Sequence, residues 1–103
     1  MIVYVFIHSL IGKIYKILPL KEELDMGQDV HLSEYISSLL LDFAGALESF
    51  PELSTFTEFI TIINILQYLN THHFDHRTCK REVFKMISLL EKIEERMGGE
   101  LHE

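Results

Sequence analysis

Tryptophan is absent from this chain, cysteine occurs once, proline twice and glycine five times in 103 residues. With a single thiol, Cys79, no intrachain disulfide can form, and a reducing, cytoplasmic setting is expected. So few turn-forming residues exclude an all-β fold, which needs many tight reversals. Net positive charge is lacking too. The formal charge is −7, which disfavours nucleic acid and anionic membrane as partners. No repeat, low-complexity tract or linker divides the chain, so one domain is expected, in keeping with usual domain sizes of roughly 100–150 residues. The apolar opening MIVYVFIHSLIG is interrupted by Lys13 and Lys16 and falls short of the ~20 residues a spanning helix needs. Neither a preceding positive residue nor a small-residue cleavage site accompanies it, so it is not read as a secretion signal. A helix-turn-helix, a zinc finger and a Gly-rich phosphate loop are likewise missing.

What is present is apolar mass. Hydrophobic residues make up 48%, including seven Phe and four Tyr, enough for a packed core. A helical period runs through Val3, Ile7, Leu10, Ile11, Ile14 and Leu18, predicting a helix over 2–18 that Pro19 stops. The opening IVYVFI also suits a strand, but the period persists past Gly12 and favours helix. Residues 19–29 read as an acidic loop. A second helix over 30–48 places Leu32, Tyr35, Ile36, Leu39, Leu40, Phe43 and Leu47 on one face. Gly45 lies inside it, where glycine costs about 1 kcal/mol relative to alanine, so a close approach of another backbone is expected there.

Pro51 breaks the pattern, and Thr55-x-x-Glu58 has the form of a capping box opening a third helix over 56–70. Nine of the fourteen residues from Phe56 to Leu69 are apolar, which predicts a helix surrounded on nearly all sides, the centre of the fold. A fourth helix over 75–97 begins at Asp75, a good N-cap, and ends at Gly98-Gly99. Its stripe, traced from His72 through His76, Cys79, Val83, Met86, Leu90, Ile93 and Met97, is that of a helix packed lengthwise on others. The fold class is therefore all-α, an antiparallel bundle of about four helices.

Potential metal ligands gather at one place: His72, His73, His76 and Cys79, with Asp75 among them. If helix reached back to His72, then His72, His76 and Cys79 would share a face, and imidazole with thiolate suits zinc. The spacing H-H-x-x-H-x-x-C matches no established zinc motif, and His73 stands where zinc proteases carry a catalytic Glu. The competing account is a polar helix start with Cys79 an ordinary core residue, so no cofactor is expected and zinc is the metal the cluster would take. As a nucleophile Cys79 lacks a base held by a third group. No carboxylate pair among Glu22-Glu23, Asp42 and Glu94-Glu95 is marked for acid–base work. An enzyme is not expected.

Six of the nine Lys and Arg lie on the fourth helix, and Arg77, Arg81, Lys85, Lys92 and Arg96 share a face away from its apolar stripe. That face is either solvated or a docking surface for an acidic protein or a phosphate backbone. The first and third helices also carry more apolar surface than one stripe each. A domain near this size buries only about 60–70% of its unfolded surface, so a second copy is expected to cover the excess. Val3, Ile7, Leu10 and Ile14 are the residues expected at that homodimer interface. The function expected is that of a small non-enzymatic interaction protein: an adaptor, assembly factor, inhibitor or immunity-type protein bound to a protein partner. Bacteriocin and colicin immunity proteins are similar in size and class as small acidic helical bundles, without a shared motif. The alternatives are a metal-binding regulator or small metal-dependent enzyme on the His72–Cys79 cluster, and a nucleic-acid-associated factor.

Overall fold

A computed structural model describes the backbone of residues 2–101 and the side chains of residues 5–97. Among these the chain forms five α-helices and one 3₁₀ turn, with no strand: α1 Ile2–Tyr15, α2 Ile17–Asp25, α3 Leu32–Ser49, the 3₁₀ turn Pro51–Thr55, α4 Thr57–Thr71 and α5 His76–Leu101. Helices α1 and α2 follow each other as one arm, so the architecture is a four-membered antiparallel bundle, 49 × 22 × 19 Å. Residues 2–7, where a strand competed on sequence, are helical.

Pro19 does not end the first arm. It is the third residue of α2, in the first turn, where a missing N–H costs nothing because the early N–H groups have no intrahelical partner. The loop expected over 19–29 is therefore confined to residues 26–31. Its start is a Schellman cap: Gln28 N–H donates to Glu23 O, Gly27 N–H donates to Leu24 O, and Gly27 has φ +84°.

The helix at the centre is α5, not α4. Helix α4 buries Phe59, Ile62, Ile65, Leu66 and Leu69 but leaves Ile60 and Tyr68 exposed and Ile63 half-buried. Helix α5 is 26 residues long and packs along α1, α2 and α4. Its residues Cys79, Val83, Met86, Ile87, Leu90 and Ile93 all lie in the core. Length decides this, because only a helix spanning the whole bundle can line both α1 and α2. The capping box also fails. Thr55 Oγ1 donates to Glu52 O at 2.7 Å, within the 3₁₀ turn, and Phe56 takes the N-cap position without a side-chain cap. Glu58 instead accepts a paired hydrogen bond from Arg96 of α5, at 2.9 and 3.3 Å.

The apolar stripe of α1 is covered within the chain. The pairs His8–Glu94 (2.8 Å) and Tyr15–Phe84 (ring centroids 6.1 Å apart) show α1 running antiparallel to α5. Ile7, Leu10 and Ile14, expected at a homodimer interface, are completely buried in this core. The side chain of Val3 lies outside the described residues. Apolar excess on α1 thus meets α5, which presents a stripe long enough to take it.

No backbone approaches Gly45: a methyl group there would meet nothing within 4 Å. The close approach expected from sequence is absent, and the residue is an exposed interior helical position carrying only the conformational cost of glycine. Gly45→Ala should accordingly stabilise the fold by about 0.5–1 kcal/mol. A rise in the urea midpoint with an unchanged slope would register it. Destabilisation would mean that something does pack on this face. Among the described residues no helix is long and apolar enough to cross a membrane.

Candidate functional site

The histidine cluster is dispersed. Helix α4 ends at Thr71 and His72 adopts an extended backbone, φ −128° and ψ 150°, so the stripe on α5 starts at His76 and not before. The His72 ring stacks on Tyr68 at 4.3 Å, and its Nδ1 lies within hydrogen-bond distance of Tyr68 O and Thr71 Oγ1. It closes the end of α4. His73 and His76 are exposed, whereas Cys79 is fully buried. Among the described residues no three His, Cys, Asp or Glu side chains come together as a metal site would require. The break at residues 72–75 is the reason: it destroys the single helical face on which the grouping depended.

Asp75 performs the N-cap role expected of it. Its Oδ1 accepts the Thr78 N–H at 2.7 Å, and that hydrogen bond holds the carboxyl below its ordinary range. Burial pushes the Cys79 thiol up to about 11, with the Lys21 charge working weakly against it. Burial thus favours the protonated thiol over the thiolate.

The five basic residues separate into two groups. Arg96 is committed to the fold: besides its fork onto Glu58, its guanidinium lies 5.7 Å from the Phe56 ring centroid. Arg81 donates from Nε to Glu82 at 2.9 Å. Arg77, Lys85 and Lys92 are exposed and have no ion pair among the described residues, and the same holds for Lys80. At 100° per residue, Arg77, Lys85 and Lys92 fall within about one quarter of the circumference of α5, roughly opposite the sector of Cys79, Val83, Met86 and Leu90. Ser88 and Glu95 share the basic sector, with Glu91 beside it.

Sequence reasoning missed what borders this strip. Phe84 of α5 and Tyr15 of α1 meet edge to face at 83°, each nearly half exposed at 44% and 45%. They form an aromatic ridge along the α1–α5 seam, with Phe84 one helical turn beyond Lys80 and two beyond Arg77. The signal for Phe84 was available, since it lies off the apolar stripe of its helix. Nothing local paired it with Tyr15, sixty-nine residues earlier in the chain. This face of the bundle thus sets exposed cations beside a half-exposed aromatic pair.

Compared with known proteins, the chain matches no family model, no curated protein and no solved structure.

Proposed function

We propose that this protein is a non-enzymatic interaction module that docks an acidic protein partner on the outer face of α5. The observation that carries this reading is the strip of Arg77, Lys85 and Lys92, exposed and free of ion pairs among the described residues, beside the Tyr15–Phe84 ridge. In a chain with sixteen acidic residues and a net charge of −7, neighbours to neutralise these cations were available in quantity. Cations left facing solvent steer an oppositely charged partner, and exposed aromatics supply the desolvated anchor that charge alone does not. The net charge favours a protein with a local acidic patch over a nucleic acid, which the rest of the surface repels. The α1 stripe expected at a symmetric dimer interface is used internally, which supports reading the partner as a different chain. A reducing cytoplasmic setting suits this role, with Cys79 kept as a thiol.

The test combines charge reversal with capture. Arg77→Glu, Lys85→Glu and Lys92→Glu together should leave the melting temperature within a few degrees of wild type, since exposed substitutions usually change stability by less than about 0.5 kcal/mol each. The triple variant should lose a partner that crosslinks to α5 of the wild-type protein, and Phe84→Ala should weaken the same complex. Association with wild type should also fall as salt rises, because exposed charges are screened beyond about 10 Å at 0.1 M. Unchanged crosslinks in the folded triple variant would defeat the proposal.

A further inference from the structure

A cleft of about 300 Å³ opens at the end of the bundle where α2, α3 and the α4–α5 connection meet, away from the outer face of α5. That volume sits at the lower end of small-molecule pockets, roughly 300–1,000 Å³. Its floor is aliphatic, from Leu32, Ile36 and Leu69, with Leu24 at the rim, and Phe74 closes one side. Lys21 stands on its wall, His72 and His73 also line it, and no Asp or Glu is among the lining residues.

Lys21 is unusual in its own right. It is only 9% exposed, the one charged residue in the core among the described side chains. Taking an ammonium out of water is costly unless it is partnered. One partner is Asp25, whose Oδ1 lies 2.8 Å from Nζ, and the Phe74 ring centroid lies 5.1 Å away. An ammonium has three N–H donors and that carboxylate oxygen takes one, so donor capacity remains on a group lining the cleft. The neighbouring Asn70 amide spends its oxygen and one of its two N–H donors inside the protein. Its Oδ1 accepts from Ser33 and Ser37, and its Nδ2 donates to Ser37 Oγ. Lys21 is thus the one Lys, Arg, Asp or Glu lining the cleft, with donor capacity to spare above an aliphatic floor.

From this we infer that the cleft binds a small amphipathic carboxylate, its apolar body on Leu32, Ile36 and Leu69 and its carboxylate on Lys21. A charge-assisted hydrogen bond in a partly desolvated site fixes the ligand's orientation, and the aliphatic floor sets its hydrophobic character. The site is separate from the α5 face, so either assignment can fail alone.

Octanoate, octan-1-ol and octylamine, titrated into the full-length ¹⁵N-labelled protein, separate the possibilities. Octanoate should give saturable shifts of the Lys21, Ser33, Asn70 and His73 amides and bind at least about tenfold more tightly than octan-1-ol, a difference of 1.4 kcal/mol. Octylamine should bind most weakly. Lys21→Met should abolish the preference for octanoate over octan-1-ol. Should Lys21→Met fail to fold, Leu24→Trp, at a 41% exposed position of the rim, must still weaken octanoate by filling the mouth. Absence of saturable shifts, shifts mapping elsewhere, equal binding of octanoate and octan-1-ol, or full-strength octanoate binding by Leu24→Trp would each overturn the assignment.

Discussion

Leu10→Asp should unfold the chain at every protein concentration. Leu10 is completely buried in the seam that α1 forms with α5, among Ile7, Ile14 and Ile17. The one cation in the described core, Lys21, is already paired with Asp25, and an unpaired buried charge is one of the few changes able to cost more than about 4 kcal/mol. For a domain whose total stability is roughly 5–15 kcal/mol, this removes much or all of the margin. The location also gives the substitution diagnostic value. If α1 formed the contact between two copies, the variant would remain a folded monomer. Since α1 belongs to the subunit core, helical circular dichroism should be lost, without a well-behaved monomer appearing in light scattering. Leu41→Asp is the matched control. Leu41 is 75% exposed on the outer face of α3, and the same chemical change there should alter stability by less than about 0.5 kcal/mol.

Phe43→Ala should lower the melting temperature by at least about 12 °C. Phe43 is fully buried on α3, and its ring centroid lies 5.0 Å from that of Phe59 on α4. Truncating a buried phenyl ring removes its transfer free energy and leaves a cavity, together about 3–5 kcal/mol. A domain near 100 residues shifts by roughly 4–8 °C per kcal/mol. The pair contributes beyond its area, since offset aromatic rings gain about 0.5–1.5 kcal/mol from their geometry. Phe59→Ala should cost a similar amount. The double variant should cost less than the sum of the two, because the second truncation removes a ring that has already lost its partner. Strict additivity would mean that the rings do not interact. Ile63 gives a weaker probe than its sequence position suggests, for it is only half-buried.

Helix positions and inward faces were legible in the residue pattern because burial on one side of a helix imposes a 3.6-residue period. That period identified Leu32, Ile36, Leu39 and Phe43 on α3, and Val83, Met86, Leu90 and Ile93 on α5, all in the core. Asp75 was legible for a similarly local reason, since an N-cap bonds within three residues of itself. Local chemistry alone misread Pro19 and Thr55. A proline in the first turn of a resumed helix and a threonine absorbed by a 3₁₀ turn differ from a stop and a cap only in which helix surrounds them. Tertiary packing decided the rest. An apolar excess does not say whether its cover comes from the same chain or another, and the antiparallel seam of α1 with α5 settled that for Ile7, Leu10 and Ile14. A histidine series at helical spacing does not say where the helix begins, and the extended backbone at His72 dispersed it. The Tyr15–Phe84 ridge and the Lys21 cleft join residues more than forty positions apart. Distances of that kind carry no periodicity, so only the folded chain brings such side chains together.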